Sequence, residues 1–111
     1  MNNWTSICAL KDIPPNTGVA ALIGGRQVAV FRVRSAGADK LFAIGNQDPF
    51  TGSNVLSRGI LGDKDGRFKV ASPLLKQTFD LETGVCFEKP EVSVPVYAVR
   101  EAAGRVEVQG A

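Results

Sequence analysis

Residues 46–84, NQDPFTGSNVLSRGILGDKDGRFKVASPLLKQTFDLETG, decide the fold. They read as two tight loops mounted on β-strands, one at Asp48-Pro49-Phe50-Thr51-Gly52 and one at Ser72-Pro73-Leu74-Leu75-Lys76. Between them, Gly59-Ile60-Leu61 and Arg67 to Ala71 flank Gly62-Asp63-Lys64-Asp65-Gly66, whose glycines and aspartates suit a hairpin turn. Lys76 to Leu81 and Val85 to Phe87 are expected to bracket a further hairpin at Glu82-Thr83-Gly84. Asp48 stands before a turn, where a carboxylate commonly accepts nearby backbone N–H groups, and Asp80 and Thr83 suit the same work.

Upstream, Trp4 to Leu10 alternates apolar and polar residues as a half-buried strand does, and the Lys11 to Gly18 run, with two prolines, breaks it. Val19 to Ile23 and Gln27 to Arg34 are β-rich runs joined by Gly24-Gly25-Arg26, a tight-hairpin signal. In the second run Val28, Val30 and Arg32 share one face, with Ala29, Phe31 and Val33 on the other. Both faces are largely apolar, so this strand is central. Lys40 to Ile44, after a turn at Ser35 to Asp39, delivers the chain to the first loop. Gly52 to Ser57 makes one short helical turn at most. Downstream, Pro90 to Pro95 reads as an exposed linker or edge, because proline cannot donate to a ladder. Val96 to Arg100 and Arg105 to Val108, turned by Ala102-Ala103-Gly104, finish the pattern. No 11-residue window sustains helical spacing, and no internal repeat or low-complexity tract is evident. The fold class expected is all-β, an antiparallel sandwich or small barrel.

At 111 residues and 44% hydrophobic content, the chain is expected to form one domain over residues 1–111. Its 13 basic and 11 acidic side chains give +2, with Arg26, Arg32, Arg34, Lys40, Arg58 and Lys64 dispersed, so neither nucleic acid nor an anionic membrane is an expected partner. No apolar run approaches the roughly 20 residues of a membrane span, and Met1-Asn2-Asn3-Trp4 lacks the features of a leader, so the chain is expected in the cytoplasm. Cys8 and Cys86 sit in apolar, strand-like surroundings and are expected as buried free thiols. The chain holds no histidine. Ser-His and Cys-His nucleophile pairs and histidine-ligated metals are thereby removed, and catalysis by this chain alone is not expected.

The two loops and the hairpin between them resemble the cluster-binding part of a Rieske iron–sulfur domain, in which one loop offers Cys-x-His and the other Cys-x-x-His. On that resemblance the four ligand positions fall on Asp48, Phe50, Ser72 and Leu75. A Rieske centre needs two thiolates and two imidazoles; Phe50 and Leu75 have no lone pair, and two hard oxygens from Asp48 and Ser72 are too few for a site of their own. Trp4 with Ile7-Cys8, Ile13-Pro14-Pro15-Asn16-Thr17-Gly18-Val19, Gln27 to Phe31, Asn46-x-Asp48-Pro49-Phe50, Asn54 to Gly59, Ala71-Ser72-Pro73-Leu74, Phe79-Asp80-Leu81-x-Thr83-Gly84 and Pro95-Val96-Tyr97 narrow the likeness. The chain resembles the small subunit of assimilatory NAD(P)H-dependent nitrite reductase, a Rieske-like fold without the cluster ligands.

That resemblance implies three stacked sheets, no catalytic, cofactor-binding or metal residue in this chain, and a large catalytic subunit as partner. The large subunit of that family carries FAD, a [4Fe–4S] cluster and sirohaem and reduces nitrite to ammonia. Pro49, Phe50, Leu74, Leu75 and Lys76 at the loop tips have two readings. They form an apolar interface with a partner, or Phe50 and Leu75 turn inward and fill the volume a cluster would occupy. Lys76, Arg58 and Arg67 are expected to be solvated. A stand-alone protein- or ligand-binding β module on a degenerate Rieske scaffold is the alternative function.

Overall fold

A computed structural model of the protein describes residues 4–109; Met1 to Asn3, part of the segment in which no leader was read, lie outside them. The chain runs β1 (Trp4–Ala9), a 3₁₀ turn (Leu10–Asp12), β2 (Thr17–Ile23), β3 (Arg26–Ser35), β4 (Ala38–Gly45), a 3₁₀ turn (Leu56–Arg58), β5 (Ile60–Lys64), β6 (Arg67–Ala71), β7 (Thr78–Asp80), β8 (Val96–Tyr97), β9 (Val99–Ala102) and β10 (Arg105–Gln109). These strands form three antiparallel sheets ordered β1-β10-β9, β2-β3-β4-β8 and β5-β6-β7. Among the described residues no helix is long and apolar enough to cross a membrane.

Strand β3 explains the layering. Successive side chains of a strand point to opposite faces, and β3 is apolar on both. Ala29, Phe31 and Val33 join Ile44, Leu56, Val70, Phe79, Leu81, Cys86 and Val94 in a core toward β5-β6-β7. Val28 and Val30 join Ile13, Ile23, Ala43, Val106 and Val108 in a second core toward β1-β10-β9. The β2-β3-β4-β8 sheet is therefore the middle layer. Cys86 is buried in the first core and Cys8 lies against the second; both are free thiols. Burial pushes both thiols up, which keeps them protonated and poorly nucleophilic.

Four two-residue hairpins tie the strands, with positive φ at both central residues: Gly24-Gly25 (56° and 80°), Ala36-Gly37 (52° and 78°), Asp65-Gly66 (52° and 83°) and Ala103-Gly104 (51° and 80°). This is the pattern of type I′ turns, whose twist matches that of the flanking strands. Ala36 and Ala103 hold it despite their Cβ.

Three expectations are corrected. Val85 to Phe87 is not a strand: it makes only single bridge pairs, Phe79 with Cys86 and Val85 with Ser93. The 92–94 segment folds back on it instead, with Cys86 N–H donating to Val92 O (3.0 Å) and Val94 N–H to Gly84 O (2.9 Å). For the same reason Pro90 to Pro95 is not an exposed linker throughout, since Val94 is buried in the first core and Val92 packs against it. Of Lys76 to Leu81 only Thr78–Asp80 is strand. Lys76 has φ 65° and closes the second loop, and Gln77 O accepts the Ser72 N–H at its root.

Candidate functional site

The loop end of the molecule is built from one five-residue turn used three times. In each, the first residue donates its N–H to the carbonyl five residues on: Asp48 to Ser53 (2.8 Å), Ser72 to Gln77 (2.8 Å), Asp80 to Val85 (2.9 Å). In each, its own carbonyl accepts the N–H four residues on: Gly52 (2.8 Å), Lys76 (3.0 Å), Gly84 (2.7 Å). The side-chain oxygen of the first residue takes the amide two residues on, from Phe50 to Asp48 Oδ1 (2.8 Å), Leu74 to Ser72 Oγ (3.4 Å) and Glu82 to Asp80 Oδ1 (2.8 Å). Thr51 and Thr83 accept from Ser53 and Val85 in turn, each at 3.2 Å.

Asp-x-x-Thr-Gly thus occurs at 48–52 and again at 80–84, a short internal echo the sequence reading passed over. The remaining turn, Ser72 to Lys76, reaches the same backbone with a different sequence. The turn requires positive φ at its fifth residue, met by Gly52 (79°) and Gly84 (78°) and, at about 1–2 kcal/mol of steric strain, by Lys76 (65°).

The first residues of two of these turns meet. Ser72 Oγ–H donates to Asp48 Oδ2 at 2.5 Å, and the two side chains are 1% and 0% exposed. The Asp48 carboxylate therefore takes the Phe50 amide on one oxygen and the Ser72 hydroxyl on the other, closing one loop on the other. Phe50 is half-buried, packs against the first core and lies 6.3 Å from the Phe79 ring centroid. Leu74 and Leu75 point into solvent, 49% and 53% exposed, between exposed Pro73 and Lys76; Pro49 is exposed at the tip of the first loop. Of the four positions that the resemblance matches to Rieske ligands, then, Asp48 and Ser72 are joined, Phe50 turns to the core and Leu75 turns out. The inward and outward readings of the tips divide between side chains.

Two supports were not legible in the sequence. Buried Asn46 holds the base of the first loop, accepting from Ser57 N–H through Oδ1 (2.7 Å) and from Leu56 N–H through its carbonyl (3.1 Å). Arg67, expected as solvated, is paired with Asp80. Burial by itself raises the Asp80 carboxyl, but the Arg67 guanidinium and the Glu82 and Thr83 amides outweigh it and hold the group below the usual carboxylate range.

A two-iron cluster does not fit these residues. Its irons take thiolate sulfur and imidazole nitrogen, whereas the corners offer a phenyl ring, an isobutyl group, and a carboxylate and hydroxyl already engaged with each other and with backbone amides. Among the described residues, no cluster of three or more His, Cys, Asp or Glu side chains is placed to hold a metal.

Residues 3–109 match the family model of the Rieske-like [2Fe–2S] domain. The nitrite reductase (NADH) small subunit of Escherichia coli (strain K12) is 47% identical over 110 residues, covering 99% of this chain and all of that protein. A crystal structure assigned as an NADH-dependent nitrite reductase small subunit from Mycobacterium tuberculosis superposes with a TM-score of 0.93 at 45% identity, covering 100% of this chain and 97% of the other. The nitrite reductase [NAD(P)H] large subunit of Klebsiella oxytoca contains a region 40% identical over 105 residues, which is 95% of this chain but only 11% of that protein. With a close likeness from end to end, this chain belongs to the family of nitrite reductase small subunits, within the Rieske-like domains.

Proposed function

We propose that this chain is the non-catalytic small subunit of a cytoplasmic NAD(P)H-dependent nitrite reductase, which reduces nitrite to ammonia in nitrogen assimilation. It acts by binding the large catalytic subunit and completing or stabilising it. The observation that carries this reading is the full-length identity to a nitrite reductase small subunit. The Klebsiella oxytoca large subunit, which holds a copy of this domain within its own chain, adds support by joining the two functions covalently. The chain holds no histidine and burial pushes both thiols up, so Ser-His and Cys-His nucleophile pairs are not available to it. FAD, [4Fe–4S] and sirohaem belong to the large subunit on this reading, and the small subunit carries none of them. Pro49, Leu74, Leu75 and Lys76, the exposed side chains of the loop tips, form the end that meets the partner, while Phe50 turns to the core.

The test is nitrite-dependent NAD(P)H oxidation by the large chain, with and without this one. The expected result is co-purification of the two and a higher rate, or a longer-lived activity, once this chain is added. A large chain that neither binds it nor changes in rate or lifetime would remove the proposal. The purified small chain should be colourless in visible light.

A further inference from the structure

The three turns of the loop end differ at one position in a way their geometry does not ask for. Gly52 and Gly84 close the first and third, as the positive φ favours, but Lys76 closes the second at φ 65°. Lys76 shares this backbone with Ala36 and Ala103, but unlike them it sets a long charged side chain beside exposed apolar ones. Its ammonium is exposed and takes part in none of the ion pairs among the described residues. Directly before it stand Leu74 and Leu75, two neighbouring leucines about half exposed at the apex of a turn. The root of that turn is fixed by the Ser72–Asp48 hydrogen bond and by the Ser72 and Gln77 backbone pair, so the leucines are presented on a preorganised support, which lowers the ordering cost of binding.

Resting on the reading that the large subunit is the partner, we infer that Leu74, Leu75 and Lys76 are the contact by which this chain docks on it. The leucines fill an apolar depression of the large chain and the Lys76 ammonium meets an acidic rim. The occupant is named by the relative in which this domain is part of the large polypeptide, where the two are held at high effective concentration. The fold leaves the contact free for it. The second loop lies on the β5-β6-β7 layer, and Trp4 and Gln109 pair in the β1-β10-β9 layer on the other face of the middle sheet, so the leucines stand on a different layer from both ends of the described chain.

The experiment measures binding of the purified, cofactor-loaded large chain to the wild-type protein and to Lys76→Gly, Lys76→Asn, Lys76→Glu and Leu75→Ser at several salt concentrations, with melting temperatures taken in parallel. Gly and Asn both suit the backbone, so Lys76→Gly and Lys76→Asn should melt at or above the wild-type temperature while binding about tenfold more weakly, with much of the salt dependence gone. Lys76→Glu should bind more weakly still, and Leu75→Ser should weaken binding without touching the salt slope. Wild-type affinity and salt slope in Lys76→Gly and Lys76→Glu would overturn the proposal. So would a melting temperature that falls with the affinity in both Lys76→Gly and Lys76→Asn, since the lysine would then serve the fold. A large chain that fails to bind even the wild-type protein overturns the functional reading instead.

Discussion

At the scale of single residues, the buried pair Asp48 and Ser72 stands where the Rieske resemblance puts two thiolates. Its work is to fasten two loops. Ser72→Ala leaves one buried carboxylate oxygen without its partner and should lower stability by about 1–3 kcal/mol in urea unfolding, whereas Leu75→Ala, in solvent, should change it by no more than about 0.5 kcal/mol. Acid should act through Asp39, Asp80 and Glu88, the carboxyls held low in the folded chain. The Arg32 and Arg34 guanidiniums, 2.7 and 3.0 Å from Asp39, hold that carboxyl down to about 2, and Asp80 is also lowered. A carboxyl that titrates lower in the folded chain than in the unfolded one contributes stability fully present above the unfolded value, here 3.8 for the two aspartates, and lost as pH falls through the folded value. Unfolding free energy should therefore decline between about pH 4 and pH 2, and Asp80→Asn should be less stable at neutral pH with a shallower acid decline. The sequence showed which side chains were chemically wrong for a cluster. It could not show that Ser72 reaches Asp48, 24 positions away, or that Arg67 reaches Asp80, because those contacts exist only once strand register is set.

Among the elements, turns carry the information that alternation of side chains leaves out. Gly24-Gly25 was legible as a hairpin because two glycines accept positive φ at no steric cost. The Ala36 and Ala103 turns were located correctly, but their strain was hidden, since alanine gives no hint of a left-handed backbone. Ala36→Asn and Ala103→Asn should each raise stability by about 0.5–1 kcal/mol, read as a higher melting temperature. Glycines are not equivalent either. A Cβ at Gly24 would meet nothing within 4 Å, while one at Gly84 would stand 2.1 Å from Val94 O, so Gly84→Ala should destabilise far more than Gly24→Ala in the same unfolding assay. The same fold-back of Val94 onto Gly84 defeated the sequence reading of Pro90 to Pro95. Flanking prolines signal a missing donor, but they do not reveal that the valines between them pack on a core.

For the whole molecule, the doubly apolar β3 was legible as a central strand, whereas three stacked sheets were expected only from the family resemblance. The partner was legible only through family likeness, since no cluster of titratable groups points to it. A relative whose large subunit holds a region like this chain within the same polypeptide favours equal numbers of the two chains. Native mass measurement of the purified complex should give one small subunit per large one, and a different ratio would show that the separate chains assemble by another rule. The pairing of Trp4 with Gln109 has a mechanical consequence for any such linkage. Tension applied across those two residues would peel β1 from β10 one rung at a time, like a zip opened from its end, so a tether to a larger body has to stay slack or this layer is the first to come undone.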